Sequence, residues 1–137
     1  MTNPLTPMRA AFKASRAVLV LCLTSLCALA IAAPVSAAGL RETRCGWFDN
    51  PTPANAWITD RDGQWIIATQ GGRQADGDWP DFPDNRWVHT NGGSYGHGCA
   101  CIQGLYDHKR KDVLRILRAT ARPLSVCRAD KTLKEPE

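Results

Sequence analysis

The sequence predicts an α+β domain: a small antiparallel sheet of about four to five strands, one C-terminal helix across one face, and two disulfides stapling the whole. Three observations carry this. Residues that tolerate positive φ stand between alternating segments at Asn91-Gly92-Gly93 and at Asp62-Gly63, as tight hairpin turns require. Val113, Ile116, Leu117 and Thr120 recur at helical spacing between Asp107, a capping residue type, and Pro123, a helix stop, predicting a helix over residues 108–119. Outside the leader, four cysteines remain, Cys45, Cys99, Cys101 and Cys127.

The leader comes first in the chain. Residues 1–16 carry Arg9, Lys13 and Arg16 and no acid, and residues 17–33 are apolar or small apart from Thr24 and Ser25. This is the pattern of a secretory signal peptide, and the small residues of Val35-Ser36-Ala37-Ala38 place its end at residue 37, with a mature domain over residues 38–137 beginning at Ala38 or Gly39. The apolar run is short for a bilayer anchor, so no membrane span is expected after cleavage. Cys22 and Cys27 each follow a leucine rather than a small residue, which argues against lipidation. Three of the 17 basic residues lie in the leader, leaving 14 against 13 acidic ones, a mature charge of +1. Near-neutrality excludes a general nucleic-acid binder. About a hundred residues support one domain with one modest core.

Within that domain, Asn50-Pro51-Thr52-Pro53 reads as an extended or turning stretch, because each proline fixes its own φ and restricts the residue before it. Ala56–Asp60 and Gln64–Gln70 form a hairpin about Asp62-Gly63, with Ile58 expected opposite Ile67 and Trp57 opposite Ala68. Residues 71–85 are a loop by composition. Its aspartates, at 76, 78, 81 and 84, lack the spacing and the closing glutamate of a calcium loop and read as a solvated acidic segment. Trp79 and Phe82 within it either fold back on the core or project as a binding platform. After the Asn91-Gly92-Gly93 turn, the strand period puts Tyr95, His97, Cys99 and Cys101 on one face, and leaves Gly96 or Gly98 opposite Trp87 as room for its ring. The helix would bury Val113, Ile116 and Leu117, together with Trp57, Trp65, Trp87 and Ile66 or Ile67 of the sheet. Its other side, with Arg115 and Arg118 among five basic residues, would be a contact face for anionic envelope polymers or a protein, or simply solvated. Beyond about residue 130 the tail is polar and expected to fray.

Cys45-Gly46-Trp47, then Phe48-Asp49-Asn50-Pro51-Thr52-Pro53, Asp60-Arg61-Asp62-Gly63, Gly98-Cys99-Ala100-Cys101 and Cys127-Arg128 occur in that order. Over residues 44–130 this resembles a family of small exported bacterial proteins of unknown function with a Cys-Gly-Trp signature. The resemblance implies export and a shared fold, and supplies no catalytic residue.

An oxidising compartment favours disulfides. Cys99 and Cys101 sit side by side on one strand face and are poorly placed to bond each other, so Cys45 and Cys127 are expected to pair separately with them, in either combination. The function expected is an exported, periplasmic or secreted, binding module for a protein or a cell-envelope glycan. Its candidate contacts are Trp79, Phe82, Tyr95, His97, Arg115 and Arg118, and no cofactor is expected. Two other readings compete. His97, Cys99 and Cys101 would form a soft-metal set if the sulfurs were reduced. A hydrolase would pair Asp60 or Asp62 with His89 or His97, but the chain has no nucleophile-elbow, zinc-protease or phosphate-loop motif.

Overall fold

A computed structural model describes residues 39–137. The predicted signal peptide, residues 1–37, lies outside the described residues. Six strands follow one another: β1 Leu40–Thr52, β2 Asn55–Asp60, β3 Gly63–Ala68, β4 Val88–His89, β5 Gly96–Asp107 and β6 Asp112–Arg122. A single 3-10 turn covers Asp84–Arg86, and helix α1 covers Leu124–Ala129. The fold is mostly β, a mixed sheet with a short C-terminal helix.

The pairing order closes the sheet on itself. Long β1 pairs antiparallel with β5 from Leu40 to Asn50 and with β2 from Trp47 onward. β2 pairs with β3, β3 meets β6 in parallel at Ile66 and Asp112, and β6 returns to β5. Five strands thus form a ring around the core. β4 is an extension: it pairs with Gly96 and His97 of β5, just before β6 takes over that side of β5 at Cys99. Strand alternation decides what faces inward. Phe48, Ala56, Ile58, Trp65, Ile67, Ala100, Ile102, Tyr106, Val113 and Ile116 form one buried cluster. Gly46 has to be glycine, because a Cβ there would collide with the Thr59 carbonyl where β1 crosses β2.

The segment expected to be helical over 108–119 is instead a turn followed by β6. Asp107 does cap, accepting the backbone N–H groups of Lys109 and Arg110 at 3.0 and 3.1 Å, but it caps a tight turn that ends at Lys111 with φ 57°. The helical signal has a specific origin. β5 and β6 change register twice, so that Tyr106, Gly104 and Ile102 face Val113, Ile116 and Ala119 in turn. Two bulges stretch the inward period from two residues to three, and a three-residue period imitates a helix face. Leu117, expected in the core, is one of the bulged residues and is 44% exposed. The helix that does form is α1, after Pro123.

Two hairpin details also differ. The β2–β3 turn is Arg61-Asp62, since Asp60 pairs with Gly63, and Ile58 therefore faces Trp65 and Trp57 faces Ile66. Asp60 sets this turn by accepting the Asp62 N–H at 2.8 Å, and Gly63 supplies the positive φ of 114° that follows. The β4–β5 connection pairs His89 with Gly96, leaving residues 90–95 as a longer loop. Of the remaining expected core, Trp65 and Ile67 are buried, while Trp57, Ile66 and Trp87 are half-buried.

Both expected staples are present, as Cys45–Cys101 and Cys99–Cys127. Cys45 and Cys101 stand directly opposite on β1 and β5. Cys99–Cys127 ties α1 to the outer face of β5, where Trp47, Cys99 and Cys127 form a second buried cluster covered by Leu124 and Leu133.

Candidate binding cleft

The long connection between β3 and β4 is stitched down before it reaches the cleft. Ala75 donates to the Ile67 carbonyl, Ile116 donates to Asp76, and Arg73 donates to the carbonyls of Val113 and Ile66 at 2.7 and 3.1 Å. Arg86 fixes the far end on the Ala121 carbonyl at 3.1 Å. Between these anchors, residues 77–85 have little choice but to lie over one end of the ring. Trp79, Phe82 and Trp87 fold back onto Phe48, with ring centroids 5.8, 5.7 and 6.2 Å from it, and Phe82 and Trp87 lie 4.8 Å apart. Glycines make the space: a Cβ at Gly98 would overlap the Phe82 ring, and one at Gly96 would press on the Trp87 indole nitrogen.

The three half-buried rings do not close the end of the ring completely. They leave a cleft of about 340 Å³ lined also by Asn50, Pro80, Asp81, Asp84, His89 and Ser94. That is the lower end of the ~300–1,000 Å³ range of small-ligand sites. Asp81 and Asp84 are exposed at this cleft, and neither carboxylate makes an ion pair or hydrogen bond among the described residues. The Trp79 indole N–H is buried with no acceptor among the described residues.

The other end of the ring is filled from within. Arg44, 8% exposed, donates from Nη1 to Asp60 at 2.6 Å and Asp62 at 2.9 Å, and from Nη2 to Glu42 at 2.6 Å. Its guanidinium carbon lies 3.7 Å from the Trp65 ring centroid and 5.4 Å from that of Tyr106. Asp60 also accepts the Trp65 indole N–H at 3.1 Å, and His108 contacts Glu42. The Arg44 hydrogen bond and charge hold the Asp62 carboxyl below its usual range. Burial alone would raise Glu42, but His108 and Arg44 outweigh it and hold that carboxyl low as well. This end is a polar network with its cation already in place, both terminal nitrogens of Arg44 bonded to carboxylates and its buried Nε left without an acceptor among the described residues.

The remaining residues named from sequence are dispersed. Tyr95 is half-buried in the 90–95 loop. His97 is 2% exposed on the outer face, edge-on to Trp47 with centroids 5.3 Å apart and its Nε2 3.3 Å from Glu135 of the C-terminal tail. Glu135 also accepts from Arg128 at 2.6 and 2.8 Å, so residues after 130 contact α1 and β5. Beside His97, burial raises the Asp49 carboxyl above its ordinary range, partly offset by His97 and by the Trp57 indole. Arg115 pairs with Asp76 at 3.3 Å, and Arg118 lines a separate shallow groove with Thr43, Cys101, Gln103 and Thr120. Cys99 and Cys101 have their sulfurs in the two bridges, and among the described residues no group of three or more His, Cys, Asp or Glu gathers in a way that could hold a metal. The cleft therefore unites Trp79 and Phe82, and adds Phe48, Trp87, Asp81, Asp84 and His89. The signal for the aspartates was their interleaving with aromatics in Trp79-Pro80-Asp81-Phe82-Pro83-Asp84.

A family profile described as a protein of unknown function matches residues 39–134. The chain belongs to the DUF4087 family. No curated protein and no solved structure matches it. The DUF4087 match runs through all six strands, α1 and the segment that frames the cleft. Two disulfides in so small a DUF4087 domain indicate an oxidising, extracytoplasmic setting. Among its described residues no helix is long and apolar enough to cross a membrane.

Proposed function

We propose that this protein is an exported binding module, released to the periplasm or the medium after cleavage near residue 37, which holds a partner protein or a cell-envelope glycan in the aromatic cleft. The leader-like start and the two bridges support the compartment. The observation that carries the binding reading is the cleft itself. Three large aromatic side chains stay half-buried beside a concavity on a loop pinned at both ends, so flat apolar surface is held ready for a partner at low ordering cost. Half-buried aromatics around a preformed concavity are what a binding anchor requires.

The test is amide-resolved NMR of the isotope-labelled protein recovered after export, titrated separately with soluble cell-wall glycan fragments and with an envelope protein fraction. The expected result is shifts confined to residues 79–89 and residue 48 with at least one probe, lost in a Trp79→Ala/Phe82→Ala variant that keeps its sheet circular dichroism. Shifts spread evenly over the surface, or unchanged in that variant, would remove the cleft from consideration.

A further inference from the structure

The two ends of the ring are built from the same materials, and only one of them contains a cation. At the filled end, Trp65 and Tyr106 offer ring faces and Glu42, Asp60 and Asp62 offer carboxylates, with the Arg44 guanidinium stacked and forked among them. At the open end, Trp79, Phe82 and Trp87 offer rings and Asp81 and Asp84 offer carboxylates, and no Arg or Lys of the described residues pairs with either aspartate. Of the four aspartates in this loop, Asp76 is already engaged by Arg115.

We propose that the cleft binds an arginine side chain presented by a partner polypeptide. This rests on the binding reading above and names the chemistry of its ligand. A guanidinium is planar, so it stacks on an indole or phenyl face, and its donors spread in a fork that two neighbouring carboxylates can accept. It is also weakly hydrated for a cation, so it enters a half-apolar cleft more readily than an ammonium does. A cleft of about 340 Å³ leaves room for a planar head on its methylene stem. Arginine is among the side chains that dominate protein interfaces from such pockets. A neutral sugar would stack on the same rings but leave both carboxylates without a counter-charge.

The test compares three acetylated, amidated peptides differing only at one central residue, arginine, citrulline or lysine, with soluble cell-wall glycan fragments as a fourth probe, on the protein recovered after export. The amides of residues 79–89 provide the readout. The arginine peptide is expected to shift them, more weakly as salt is raised, with the lysine peptide weaker and the citrulline peptide silent. An Asp81→Asn/Asp84→Asn variant should lose about tenfold in arginine-peptide affinity, as two partly exposed charge contacts would, with an unchanged melting temperature. Equal binding of the citrulline or lysine peptide, or an Asn variant that binds as well as the wild type, would overturn the proposal. If glycan fragments shift these amides and the arginine peptide does not, the arginine assignment falls while the binding cleft stands. If no probe shifts them, the arginine assignment falls, and the binding reading falls with it once the envelope protein fraction is silent as well.

Discussion

Removing the two bridges one at a time should separate a purely unfolded-state effect from a local one. In the loop-closure description, a bridge spanning 56 residues stabilises by about 4.2 kcal/mol and one spanning 28 by about 3.6 kcal/mol at 25 °C. By that count alone, Cys45→Ala/Cys101→Ala is the costlier pair. In the native state, however, Cys45 and Cys101 are already held opposite each other by the β1–β5 ladder, and Cys45 is exposed. Their loss should lower global stability by about 4 kcal/mol, a large share of the ~5–15 kcal/mol typical of a domain, and speed exchange only at amides that open by global unfolding, leaving local opening of the tail unchanged. Cys99→Ala/Cys127→Ala acts differently, because that bridge ties α1 to β5 and helps bury Trp47. Without it, a six-residue helix capped by no side chain must stay docked through Leu124, Leu133 and the Glu135 contacts. Such a helix is marginal by itself. The amides of Val126, Asp130 and Leu133 should therefore lose protection ahead of global unfolding, and Trp47 should become reachable by a fluorescence quencher. Hydrogen-exchange mass spectrometry with denaturant melts on both variants is the assay. Unchanged tail protection in the Cys99/Cys127 variant, or tail protection lost ahead of global unfolding in the Cys45/Cys101 variant, would refute this reasoning.

Two further outcomes follow from particular side chains. Ile116→Ala should cost about 2–5 kcal/mol as a large-to-small change in the core, whereas Leu117→Ala should stay within about 1 kcal/mol, because Leu117 is bulged outward; comparable losses in chemical denaturation would contradict the bulge. Burial raises the folded Asp49 carboxyl above its unfolded range, so the native state binds that proton more tightly and loses stability as pH rises through the folded value; Asp49→Asn should melt higher than the wild type at pH ~7 and equally at pH ~3, below the ordinary carboxylate range, and an equal difference at both would exclude the titration.

The staples were legible in the sequence because a strand period of two leaves little choice for cysteines at 99 and 101. Trp79 and Phe82 were legible as site residues because large aromatics on a polar loop need a partner. The ring closure was not, and β1 shows why. Its inward positions include Arg44 and Gly46, so the usual apolar alternation is missing: Arg44 finds Glu42 on its own strand but Asp60 and Asp62 only when β2 and its turn are brought alongside, and Gly46 is needed because β2 lies against it. β6 misled for the opposite reason, since its pattern was strong but its period came from bulges. The carboxylates at the cleft read as solvated charge and are exposed; their place beside a concavity was not legible, because Phe48, onto which Trp79, Phe82 and Trp87 fold, comes from β1, far away in sequence.

The two bridges also set a problem for the order of events in folding. Cysteines 45, 99, 101 and 127 leave any N-to-C assembly line in that sequence, and pairing each with the next one available would give 45 with 99 and 101 with 127. The native connectivity is crossed with respect to that, 45 with 101 and 99 with 127. What selects it is the β1–β5 register, which places Cys45 opposite Cys101 and turns Cys99 toward Trp47 and α1. A chain oxidised before that long-range ladder forms will be trapped with the wrong partners and must reshuffle through thiolate exchange, which takes minutes to hours uncatalysed. Efficient maturation of this domain therefore depends on strand pairing outrunning oxidation, or on an isomerase that lets the finished ladder decide.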